Sequence, residues 1–139
     1  MLILDTDHFS EFERGTDAGA KLRERLRAAT HVKAITIVTA EEVMRGWLAH
    51  VHHCRDGAHA VEAYHRFQNS LQSFGKWNIL PWTQASAGVL DQLRRQRIRV
   101  GSMDLRVASI VLVRDATLLT RNVGDFVQVP GLRVENWLD

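Results

Sequence analysis

Short apolar runs alternate with stretches of helical periodicity along the whole chain, and this alternation restricts the fold more than any other feature. "LIL" at 2–4, "VKAITIV" at 32–38, "WNILPW" at 77–82, "ATLLT" at 116–120 and the region of "GLRVENW" each have strand length, and several are rich in β-branched residues. Between them lie a segment from Thr6 to Gly15, "KLRERLRA", the long span from "AEEVMRGWLAHVHH" through "AVEAYHRFQNSLQSF" with a break near Gly57, "QASAGVLDQLRRQ" and "MDLRVASIVLVRD". Strands joined by helices define an α/β fold with a mainly parallel central sheet and helices on both faces. The 139 residues fit one domain, 1–139, with enough chain to bury a core unaided.

Local signals place the helix starts. Thr6 or Asp7 is expected to cap the first helix, Thr16 the second, Thr39 the third and Ser102 the one beginning "MDLR". Gly101 reads as a turn, and Gly124 with Asp125 as a loop.

Sheets of this kind place their functional crevice at the carboxyl ends of the strands. Acidic residues collect there: Asp5 closes the first strand, Glu41 and Glu42 follow the second, Asp104 follows Ser102, and Asp125 lies past "LLT". Carboxylates forced together repel unless a cation neutralises them, and oxygen donors suit a hard divalent ion such as Mg²⁺ or Mn²⁺. Such an ion activates water and stabilises a leaving oxygen, the chemistry of phosphodiester hydrolysis. Each acid also has a plainer reading. Asp5 and Asp104 suit the start of a helix, "TAEE" is a capping box in which Glu42 reaches back to Thr39, and Asp125 suits a turn.

The motifs together resemble those of PIN-domain ribonucleases, and more narrowly the VapC toxins of bacterial toxin–antitoxin pairs. They are "LILDTD", "ITIVTAEEVMRG", "VGSMDLRVASI" and "LLTRNVGDFVQVPGLRVENW", in that order and over nearly the whole chain. The resemblance implies a PIN-like fold and a Mg²⁺- or Mn²⁺-dependent endoribonuclease. Asp5 and Asp104 would be the main metal ligands, Glu42 would complete or orient the water shell, and Asp125 would be a further catalytic acid. Thr120 and Asn122 would support the site by hydrogen bonds. Relatives often carry aspartate at the place of Asn122, so the resemblance implies a second metal position less clearly here, and asparagine at that of Asp7, which adds negative charge near the site as a further supporting residue. An RNA substrate, a homodimer and a VapB-like antitoxin are the implied partners.

The cations are uneven. Arg94, Arg95, Arg97, Arg99 and Arg106 crowd one stretch against a single acid, although the formal net charge is only +2. Arginine suits phosphate or carboxylate, so this run is a candidate RNA or antitoxin contact, and equally a solvated helix end. The lone Cys54 excludes an internal disulfide, the acids at 5 and 7 interrupt any secretion signal, and "VASIVLV" is too short to span a bilayer. A cytoplasmic protein without membrane contact is expected.

Three competing signals stand beside this reading. "DTD" also resembles the opening motif of haloacid-dehalogenase-type phosphatases, but that chemistry needs a lysine by the phosphate, and Lys21, Lys33 and Lys76 fall in no suitable loop. A non-catalytic PIN-like module that binds RNA or protein would leave the acids as caps and turns. His50, His52, His53, Cys54 and His59 suggest zinc, yet their spacing matches no closed four-ligand pattern. The tryptophans at 47, 77, 82 and 137 are expected to be buried in the core or an interface rather than stacked on bases.

Overall fold

The computed structural model describes residues 1–139. In chain order the elements are β1 (Leu2–Leu4), α1 (Thr6–Arg14), α2 (Asp17–Ala28), β2 (Lys33–Thr36), α3 (Ile37–His52), α4 (Ala60–Phe74), β3 (Ile79–Leu80), α5 (Gln84–Arg95), α6 (Ser102–Val113), β4 (Thr117–Leu119), α7 (Val123–Phe126) and β5 (Arg133–Glu135). All strand pairings are parallel, in the order β3-β2-β1-β4-β5.

Alternation of side chains along the strands sorts the core into two layers. Ile3, Ala34 and Leu118 face α5, α6 and α7, where Leu90, Leu93, Val107, Ile110, Val111 and Phe126 bury them. Their strand neighbours Leu2, Leu4, Ile35 and Leu119 face α1 and α2, against Phe9, Leu22 and Leu26. Helix α6 is apolar nearly all round because the sheet, α5 and the chain after α7 enclose it.

Gly15 ends α1 in the left-handed conformation, φ 69°, and so permits the tight reversal into α2. A Cβ on Gly19 would lie 2.0 Å from the Glu11 carbonyl oxygen, so α2 approaches α1 more closely than any larger residue allows.

Three cap assignments move. Asp5 itself caps α1, its carboxylate accepting from the Thr6 amide at 2.9 Å, so the residue that ends β1 also opens the helix. Thr36 rather than Thr39 caps α3, and the Thr39 amide donates to the Thr36 hydroxyl at 3.0 Å. The apolar pair Ile37-Val38 therefore begins a helix instead of extending β2, because the Thr36 cap is satisfied and Val38 enters the core. The "TAEE" capping box does not form, which leaves Glu42 in the second turn free of that duty. Gly101, not Ser102, occupies the cap position of α6, with no side-chain cap bond. The expected loop around Gly124 and Asp125 is the short helix α7, anchored by the fully buried Phe126.

Candidate active site

The strand order changes direction at β1: β2 lies on one side and β4 on the other. In a parallel sheet such a switch point opens a crevice beyond the strand ends. Asp5 follows β1 there and Thr120 follows β4, and the Asp5 amide donates to the Leu119 carbonyl at 2.9 Å. The crevice forms a hollow lined by Asp5, Thr6, Asp7, Ser10, Glu11, Arg14, Glu42, Asp104 and Arg121, without one apolar residue.

Asp5 is only 8% exposed. Its Oδ1 accepts from the Thr6 amide, and its Oδ2 accepts from the Thr120 hydroxyl at 2.8 Å. Burial raises its pKa from 3.8 to about 7; the bonds from Thr6 and Thr120 oppose the rise, and the charges of Asp7 and Asp104 add to it. Glu42 is also pushed up, first by burial and then by Asp104 and Glu41, while its Oε2 accepts from the Thr6 hydroxyl at 3.0 Å. Asp104 is pushed up by burial and by Asp125, against the bond from Asn122.

Asp7 goes the other way. Burial pushes it up, but bonds from His8 Nδ1 at 2.7 Å and the Arg121 amide at 2.9 Å outweigh that and hold it low. His8 is fully buried, and its Nε2 accepts from the Trp137 amide at 3.1 Å, which places the proton on Nδ1, facing Asp7. Asp7 therefore joins the carboxyl-terminal segment and the end of β4 to the hollow.

Asn122 bridges the two acids of the far wall. Its Nδ2 donates to Asp125 at 3.0 Å and, more weakly, to Asp104 at 3.4 Å. Its amide donates to the Thr120 hydroxyl at 3.0 Å. Asp125 is not part of the hollow's lining and meets it through the hydrogen bond from Asn122 and through its charge on Asp104.

Of the acids singled out in the sequence, Asp5, Asp7, Glu42 and Asp104 thus share one hollow, with Thr120 and Asn122 bonded into it. The arginine run does not join them. Arg94, Arg95, Arg97 and Arg99 are exposed at the end of α5 and in the following turn, and Arg106 lines a separate apolar hollow with Trp82. The cations at the acidic site are Arg14 and Arg121, the latter paired with Glu11 at 3.4 Å. Sequence reasoning missed both, together with Ser10 and Glu11. A signal existed: Asp7, Ser10, Glu11 and Arg14 are spaced i, i+3, i+4, i+7, a polar stripe on one face of α1.

Among the histidine and cysteine residues at 50–59, His59 pairs with Asp56 at 2.8 Å, and the Cys54 thiol donates to the His50 carbonyl. Of the tryptophans, Trp77 and Trp137 are half-buried against the core layer of Phe9, Leu22 and Leu26, whereas Trp47 is half-buried outside it and Trp82 is exposed.

An all-parallel five-stranded α/β sheet with an acidic crevice at its switch point is the PIN-like architecture that the sequence motifs resemble. No family model matches the chain. Over 46 residues it is 37% identical to ribonuclease VapC2 of Rickettsia felis, a stretch covering 33% of this chain and 34% of that protein. The match thus spans about a third of the curated relative's length. The fold comparison covers nearly everything. A chain in the crystal structure of VapBC2 from Rickettsia felis bound to a promoter DNA fragment aligns over 98% of both chains, with a TM-score of 0.74 and 22% identity. A chain of DNA-bound VapBC from Salmonella typhimurium aligns over 98% of this chain and 97% of that one, at 0.74 and 22%. The chain shares its fold, a PIN-like one, with chains of these VapBC complexes. No helix is long and apolar enough to cross a membrane.

Proposed function

We propose that the chain is a divalent-metal-dependent endoribonuclease and the toxin of a toxin–antitoxin pair. The observation that carries this reading is the meeting of Asp5, Glu42 and Asp104, all pushed up in pKa, in one wholly polar hollow at the switch point of the sheet. The matched stretch of a protein named as a VapC ribonuclease, and a fold shared with chains of VapBC complexes, support the activity and a VapB-like antitoxin as partner. Dimerisation belongs to the same proposal.

The donor set fits a hard cation. It is made of oxygens alone, and its carboxylates bear unfavourable burial and mutual repulsion that a dication relieves. As they stand, no three of these side chains clasp a common point, because Asp5, Glu42 and Asp104 turn toward Thr6, Thr120 and Asn122. That arrangement is the one observation favouring a non-catalytic module. Against it, only Oε2 of Glu42 and Oδ2 of Asp104 are engaged, so each keeps an oxygen for a further partner. The hollow holds no lysine, which leaves the phosphatase alternative without support.

Asp5, Asp104 and Glu42 would hold Mg²⁺ or Mn²⁺, and the ion, when bound, would supply water activation and charge neutralisation at the leaving oxygen. Thr120 and the Thr6 amide fix the Asp5 carboxylate, and the Thr6 hydroxyl fixes Glu42. Asn122 holds Asp104 and Asp125 together, and Asp125 would contribute negative charge or orient a second ion. Arg14 and Arg121 sit where an RNA phosphate would be drawn in. The arginines at 94, 95, 97, 99 and 106 remain candidate contacts for RNA or antitoxin away from the reacting group. The products would carry 5′-phosphate and 3′-hydroxyl ends. The test is cleavage of a structured RNA pool by the purified chain. Cutting with Mg²⁺ or Mn²⁺ that stops in chelator and returns on adding the ion is expected; equal cutting in chelator would refute the reading.

A further inference from the structure

A second hollow, of about 450 Å³, runs between α1, α3 and α4 and shares Thr6, Ser10, Arg14 and Glu42 with the acidic one. Its floor differs in chemistry. Trp47 presents a half-buried indole, and the Arg66 guanidinium lies over that ring, 5.2 Å from its centroid. His50 meets the ring edge-on at 6.2 Å. Asn69 and Ser70 on α4 bring hydrogen-bonding groups to the rim.

We infer that this groove seats an unpaired base of the nucleotide next to the cut phosphodiester, with Trp47 as its stacking surface. The inference rests on the nuclease reading for its placement beside the cut. Four observations support it. Thr6, Ser10, Arg14 and Glu42 line both hollows, so the groove adjoins the acidic site and shares one of its carboxylates. The Arg66 guanidinium already lies over the indole, so the ring serves as a platform for flat partners, and a base stacked there would take the guanidinium's place and free Arg66 for a phosphate. Phe9, Val43 and Trp47 give the groove an apolar surface and the residues around them give it polar edges, the same combination that a heteroaromatic base presents. Arg14 and Arg66 supply positive charge for the flanking phosphates, while the acid Glu13 is engaged by the Trp77 indole N–H at 3.2 Å. A duplex keeps its bases stacked inside, so the substrate segment would be a single-stranded loop or end.

The test uses the full chain and a pool of short single-stranded oligoribonucleotides. Affinity is measured in chelator, and cleavage with base preference in Mg²⁺. Trp47→Ala is expected to weaken binding by roughly 5- to 150-fold, the range for losing one stacked base. Trp47→Phe should retain most of the affinity, and Trp82→Ala, which removes an exposed indole from a different hollow, should change nothing. In Mg²⁺ the loss for Trp47→Ala should fall on KM and level the base preference beside the cut. Wild-type affinity and preference in Trp47→Ala would overturn the proposal. So would equal losses in the Trp47 and Trp82 variants, or a Trp47 effect confined to association with an antitoxin peptide. The two readings separate cleanly. RNA binding through Trp47 without metal-dependent cutting would refute only the nuclease, and ion-dependent cutting indifferent to Trp47 would refute only the groove.

Discussion

Asp104→Asn should reduce RNA cleavage by more than about a hundredfold while leaving the fold intact. Partners that merely orient a metal ligand cost 10- to 100-fold in affinity or activity when lost, so removing a ligand's charge should cost more. The substitution preserves size and, at the third position of α6, keeps a side chain compatible with a helix start. Losing an acid from a helix's first turn costs about 0.3–1 kcal/mol, and relief of repulsion with Asp125 and Asp7 offsets part of that. Initial rates on one defined RNA, read beside thermal melts, separate the two effects. The deficit should appear in kcat, because Arg14 and Arg121, the proposed phosphate contacts, are untouched. A variant that melts like wild type and cuts like wild type would remove Asp104 from the reaction.

Asp5→Asn should stabilise the protein in alkaline buffer without divalent ions. The pKa of Asp5 is about 7 in the fold, against an ordinary 3.8. The folded chain therefore binds this proton more tightly than the unfolded chain does. Below pH 4 both states hold it and nothing is lost. Between about pH 4 and 7 the unfolded state alone releases it, and stability falls as pH rises. Above pH 7 the charge stays buried in the fold at a cost on the order of 4 kcal/mol. Asparagine carries no such charge and still accepts from the Thr6 amide. The variant should therefore melt roughly 10 °C above wild type at pH 8, with the gap closing toward pH 4. Mg²⁺ should narrow the gap at pH 8 by raising the wild type alone. A gap that is independent of pH would show that Asp5 is not carrying a buried charge.

This cost of burying charge explains why the acids were the most legible part of the sequence. A carboxylate at the end of a short buried strand is costly, so Asp5 after "LIL" pointed to the crevice even though it also caps α1. The strand–helix alternation was equally legible, because buried parallel strands and amphipathic helices carry distinct periods. Where the reading failed, local and tertiary preferences diverged. Ile37 and Val38 have the composition of a strand, yet the satisfied Thr36 cap and burial of Val38 turn them into the first turn of α3. That shift of three residues altered the meaning of Glu42, from a capping partner to a residue facing the crevice. Arg14 and Arg121 were missed for a different reason. An arginine at a helix end or after a strand is ordinary, and only the register of α1 and the pairing of β1 with β4 bring these two to the acids. Conversely, the dense run from Arg94 to Arg106 attracted attention by composition alone, and the fold directs it elsewhere.

Anomalous X-ray scattering from crystals grown with Mn²⁺ tests the central claim most directly, because it locates an ion independently of activity. The expected result is a peak in the crevice with oxygens of Asp5 and Asp104 in direct coordination and Glu42 either coordinating or one water removed, the Asp104 carboxylate having turned from Asn122. A protein that cuts RNA in Mn²⁺ yet shows its ion away from these three carboxylates, or shows none, would contradict the account.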